Sequence, residues 1–191
     1  MGRTGILALL TAVVVALVSL GSGCGGDSGR AREYTQKGDQ LIAAIEKNSE
    51  KLGSRIDRAF TSLYGDVSSG KAPDVASFNS SAGRIGALAA EMKVQASKAR
   101  SFFEKVDSLV EVPYYQKYAD LKLQIIDENV KGLEQLEAFL QGAKSRLAAS
   151  PFDPIAFQAF VTEFGEAVQK LGEEGGKLQE QARELKKEKN L

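Results

Sequence analysis

From Arg30 onward, apolar residues recur every three or four positions in four long segments, the spacing of helices that each bury one face. The first segment covers residues 32–64. Its stripe is Leu41, Ile45, Leu52, Ile56, Ala59 and Leu63, with Phe60 beside it. Gly65 and Asp66 close it, and the turn-forming stretch 67–70 follows. The second segment, residues 74–110, carries Phe78, Ala82, Ile85, Ala89, Met92, Ala96, Ala99, Phe103, Val106 and Val110 in alternating steps of four and three. Such a sustained heptad seam predicts left-handed, coiled-coil-like packing, and its alanines predict close helix approach. The third segment, residues 113–149, is marked by Leu123, Ile126, Val130, Leu133, Leu136, Leu140, Ala143 and Leu147. The fourth, residues 154–188, opens with a strong start signal. Asp153 caps the free amides, and Pro154 sits where a missing N–H costs nothing. Its seam is Phe157, Val161, Phe164, Val168, Leu171, Leu178, Ala182 and Leu185.

Each segment spans roughly 50 Å at 1.5 Å per residue. The second and third connections are very short, so those neighbours run antiparallel. The pattern predicts an all-α fold: a long antiparallel up-down-up-down four-helix bundle over residues 32–191. A three-helix bundle with a loose arm is the alternative. The weak spot is the stretch 172–176, with Gly172, Gly175 and Gly176, because glycine inside a helix costs about 1 kcal/mol against alanine. The seam resumes in phase at Leu178, which favours a continuous helix with a thin patch. A hinge or the wall of a small-residue pocket is the functional alternative. Polar residues on the seams are few, chiefly near Asn48 and Ser49, where a register device is the ordinary reading.

The N-terminus follows a different pattern. Arg3 precedes an almost wholly apolar run over residues 6–20, then Gly21, Ser22 and Gly23 lead to Cys24, the only cysteine. A basic start, an apolar core and small residues at a cleavage point make a secretory signal. The segment resembles bacterial lipoprotein precursors, whose signals end in a lipobox. Ser22 and Gly23 fit the two positions before the cysteine, while Gly21 stands where the family carries Leu or another aliphatic residue. The resemblance implies cleavage between Gly23 and Cys24, acylation of Cys24, and loss of residues 1–23. Residues 24–31, rich in Gly and Ser, then form a flexible tether. The implied location is the cell membrane or outer membrane, lipid-anchored and facing outside the cytoplasm. A plain secretory signal and an uncleaved anchor helix are the alternatives. The run is shorter than the roughly 20 apolar residues that cross a bilayer. All three readings export the body.

Charge and composition exclude much chemistry. Acidic and basic residues balance at 25 each, and losing residues 1–23 removes only Arg3, for a formal net charge of −1. No clustered basic excess points to nucleic acid. There is no histidine, so the usual di-iron, zinc and serine–histidine sites cannot be built. Met92 is the only methionine beyond the signal, and core packing is the stronger reading for it than haem ligation. The pairs Glu134/Glu137 and Glu163/Glu166 lie beside the seams, as solvated faces do. No enzyme, cofactor or metal is expected.

Anchoring through Cys24 would orient the bundle. The connection between the second and third segments and the C-terminus would lie near lipid, and the other two connections would lie distally. Tyr114, Tyr115 and Tyr118 then fall at the proximal end, as do Lys186, Lys187 and Lys189, where aromatic rings and cations suit headgroups. Packing over a bundle end and favourable dipole charges are the ordinary readings of the same residues. Phe152, in the distal turn, is either a partner contact or a cap on the core. A rigid anchored rod without active-site residues points to a protein-interaction, scaffold or accessory module whose partners are membrane lipid, through Cys24, and an envelope protein. A small-ligand-binding or sensing bundle is the alternative.

Overall fold

The computed structural model describes residues 26–68 and 71–191. They form four helices: α1 (Asp27–Ser68), α2 (Val75–Asp107), α3 (Pro113–Leu147) and α4 (Pro154–Lys189), with no strand among the described residues. Each helix packs on the next in chain order, and α1 also touches α3 slightly. The architecture is the four-helix bundle that the periodicity predicts. No helix among the described residues is long and apolar enough to cross a membrane.

Three boundaries differ from the sequence pattern: α1 runs on through Gly65 and Asp66, read there as its close, to Ser68, and two others move for tertiary reasons. First, α1 begins at Asp27, so residues 27–31 are helix and not tether. The Asp27 carboxylate pairs with Arg30 at 3.2 Å and accepts the Val110 backbone N–H at 2.8 Å. Ala31 is fully buried. A long-range hydrogen bond and a buried methyl thus hold a Gly/Ser-rich stretch in a helix. Second, α2 stops at Asp107, and Val110, expected on the seam, is 66% exposed. Leu109 and Val112 are buried in its place. Glu111 adopts φ 59°, and the Gln116 side-chain amide donates to the carbonyls of Asp107 and Leu109, closing the turn.

The cap at Asp153 forms as expected: its Oδ1 accepts the amides of Ile155 and Ala156, both at 3.0 Å. Asp74 also caps α2, its Oδ1 accepting Ser77 N–H at 2.9 Å. α4 runs unbroken through Gly172, Gly175 and Gly176.

The core has two characters. Ala82, Ala89, Ala96 and Ala99 of α2 are all buried, and Gly38 of α1 faces Phe103 so closely that a Cβ there would sit 2.5 Å from the ring. Small residues thus set the close α1–α2 approach. Toward the far end, rings from all four helices cluster. Phe60 lies edge-on to Phe78 at 5.4 Å and meets Phe139 at 5.2 Å, and Phe139 stacks on Phe160 at 5.0 Å and on Phe164 at 3.9 Å. Leu88, Ile125 and Phe139 are buried though off the expected stripes. α2 and α3 each pack on two neighbours, so their apolar arcs must be wider than a single seam.

Candidate functional site

In a closed four-helix ring α1 and α4 would also pack together. Among the described residues they do not pack along their length. Only Phe157, Ala182 and Leu185 of α4 are buried, while Val161, Phe164, Leu171 and Leu178 are half-buried and Val168, expected on the seam, is 43% exposed. The gap is an apolar groove of about 560 Å³. Met92, Leu133 and Leu136 form its floor, Ile56 and Gly53 one wall, and Phe164, Val168 and Leu171 the other. Met92 is therefore core, 2% exposed.

Gly172, Gly175 and Gly176 also line this groove, and a Cβ built on any of them meets nothing within 4 Å. The missing side chains leave α4 backbone open to whatever enters.

Past Gln179, which borders both spaces, the seam continues into a polar pocket of about 340 Å³. At its centre Asp39 receives the Tyr118 hydroxyl at 2.8 and 2.9 Å, Lys186 Nζ at 2.6 Å and Lys122 Nζ at 3.5 Å. Asp39 thereby ties α1 to α3 and α4. Burial, then the Asp39 charge and hydrogen bond, then the Glu46 charge, push the Tyr118 phenol well above the ordinary tyrosine range. Glu46 and Arg183 complete the rim.

The residues singled out in the sequence end up in different places. Tyr118 is 2% exposed and belongs to the Asp39 cluster, so it presents no ring to a membrane. Tyr114 is 52% exposed, with Lys189 Nζ 4.8 Å from its ring centroid. Tyr115 is half-buried and accepts Arg32 Nε at 3.4 Å. Lys186 is committed to Asp39, and Lys187 is exposed. Lys189 pairs with Glu188 at 2.6 Å, and that contact lowers the Glu188 pKa and raises the Lys189 pKa. Phe152 is half-buried against Phe157 at 5.8 Å, where it caps the core. Asn48 is 8% exposed and donates to Gln95 of α2 at 3.3 Å, a register contact. Glu137 pairs with Lys93 at 2.7 Å, while Glu134, Glu163 and Glu166 are exposed. Gly23 and Cys24 lie outside the described residues.

The Asp39 cluster is what sequence reasoning missed, while the groove corresponds to the pocket-wall alternative for the stretch 172–176. Nothing in the pattern distinguishes Asp39 from a solvated acid. The glycines of that stretch, with Gly175 on the seam itself, are the one legible sign of the groove. No group of three or more acidic, histidine or cysteine side chains among the described residues is placed to hold a metal. The chain matches no family model, no curated protein and no solved structure.

Proposed function

We propose that the protein is a lipid-anchored, non-enzymatic binding module of the cell envelope, and that the α1–α4 groove docks an amphipathic helix of an envelope protein. The glycines of α4 carry this reading. Each costs about 1 kcal/mol of helix stability against alanine. A Cβ at Gly172, Gly175 or Gly176 would touch nothing, so close packing within this chain does not account for them. They border an apolar groove, where the absence of side chains lets a second backbone approach closely. Phe164, Val168 and Leu171 stand on the same side at helical spacing, partly uncovered, as helix-in-groove partners require. Export and anchoring rest on the lipoprotein resemblance of residues 1–24.

Two experiments test the two halves. Intact-mass analysis of membrane-extracted protein, beside Cys24→Ala, should give a chain starting at Cys24 with a mass gain from acyl groups, absent in the variant. An unmodified soluble product removes the anchor. For the groove, a photo-crosslinking side chain at Val168 in intact membranes should yield a discrete protein adduct. The same probe at Val94, exposed on α2, should not. Gly175→Leu, which fills the groove, should abolish the Val168 adduct. Equal adducts at both positions, or one indifferent to Gly175→Leu, would sink the docking claim.

A second reading has its own support. An apolar groove of this volume ending in a charged pocket also suits a small amphiphile. A thermal midpoint that rises with straight-chain amphiphiles, with no protein adduct at Val168, would select it.

A further inference from the structure

A separate cluster lies at the opposite end of the bundle, between α1 and α2. Arg55 and Arg58 of α1 and Arg84 of α2 line a pocket of about 430 Å³ with Ser62, Ser77 and Ser81. We propose that this pocket binds a phosphate group carried by a small soluble molecule.

The guanidinium groups are oriented but not neutralised. Arg55 Nη1 donates to the Arg84 backbone carbonyl at 3.1 Å, Arg58 Nε to the Ser54 carbonyl at 3.0 Å, and Arg84 Nη2 to Ser81 Oγ at 3.2 Å. Each bond fixes one N–H and leaves others of the five-donor fork available. None of the three is ion-paired to a carboxylate among the described residues. Of the other arginines among the described residues, Arg30 pairs with Asp27, Arg100 with Asp127 and Arg183 with Glu180, while Arg32 donates to the Tyr115 hydroxyl and Arg146 lies over the Phe160 ring. Two acids border the pocket, Asp66 and Asp74. Asp74 is committed to capping α2 through Ser77 N–H, and Asp66 has an interaction of its own. Three cations against two acids leave the pocket net positive, and the serine hydroxyls add neutral donors. Convergent guanidinium forks with hydroxyls suit a tetrahedral oxyanion better than a point charge, since a fork can donate two parallel hydrogen bonds. The first turn of α2 opens on the same space and adds its positive dipole end.

The test uses the full purified chain with inorganic phosphate and glycerol phosphate as probes, chloride and acetate as controls, and anionic phospholipid vesicles as a separate arm. Calorimetry and the thermal midpoint should both report saturable phosphate binding that chloride and acetate do not reproduce. The double variant Arg58→Ala/Arg84→Ala should weaken it by about tenfold or more, the loss that accompanies one charge-assisted hydrogen bond. Arg55 keeps its acceptor in that variant, because the acceptor is the Arg84 backbone. Arg58→Lys, which keeps charge but not the fork, should fall between the two, so the reading does not hang on the fold of the double variant. Arg100→Ala, whose guanidinium is paired with Asp127 away from this pocket, should bind as wild type. Three results would overturn the proposal. One is no saturable response to either small probe, one is an equal response in the double variant, and one is binding confined to vesicles, which would make the ligand a lipid surface.

Discussion

Replacing Gly172, Gly175 and Gly176 together by alanine should stabilise the protein, while the same change at Gly38 should destabilise it. All four are helical glycines. In α4 a Cβ meets nothing within 4 Å at any of the three sites, so only the intrinsic gain acts, about 1 kcal/mol per site. The total is roughly 2–3 kcal/mol. For a chain of this size each kcal/mol moves the thermal midpoint by about 2–4 °C, so the shift should be roughly 5–10 °C. At Gly38 the new Cβ would lie 2.5 and 2.6 Å from two ring atoms of Phe103 and 3.0 Å from a third. Phe103 is fully buried and meets Tyr118 edge-on at 6.4 Å, so its ring has nowhere to go. Overpacking of this kind costs about 1–3 kcal/mol, which exceeds the helix-propensity gain and leaves a net loss of roughly 1 kcal/mol. Urea titrations followed by circular dichroism would give both values, with an unchanged slope as the check that both states kept their extent of burial. A triple variant no more stable than wild type would refute the open, continuous α4. A more stable Gly38→Ala would refute the close α1–α2 approach. If the docking proposal holds, the stabilised triple variant should also lose the Val168 adduct, a gain in stability at the expense of binding.

Three further outcomes are expected. Phe139→Ala removes the ring that Phe60, Phe160 and Phe164 share and should cost about 3–5 kcal/mol in the same titration; a loss under 1 kcal/mol would mean that the aromatic cluster is loosely packed. Tyr118→Phe should cost about 1–2 kcal/mol, because Asp39 loses a hydroxyl donor but keeps Lys122 and Lys186. The raised Tyr118 pKa also sets a pH dependence. The folded state holds the proton while an unfolded tyrosine releases it near pH 10, so this contribution is intact below about pH 10 and declines above it. Denaturation midpoints between pH 9 and 11 should therefore fall more steeply for wild type than for Tyr118→Phe, and parallel curves would show that the phenol is not held protonated.

Much of this protein follows from local rules. Asp153 before Pro154 starts α4 where a cap and a missing N–H both favour it, and heptad spacing on α2 places Ala82 to Val106 in the core without knowledge of the partner helix. The signal-like N-terminus is likewise a local pattern. Three features needed the assembled fold. The start of α1 at Asp27 depends on Val110, 83 residues away. The burial of Tyr118 depends on Asp39 and Lys186, which reach it from two other helices. The opening between α1 and α4 depends on whether the first and last helices close on each other, and periodicity carries no term for that. A seam records which face is apolar. It does not record how completely a neighbour covers that face, so Val168 and Phe157 read alike in sequence and differ in exposure, 43% against 2%. The glycines show the same limit: each is identical in the chain, and only the atoms across the gap decide whether a methyl group would add stability or break a contact.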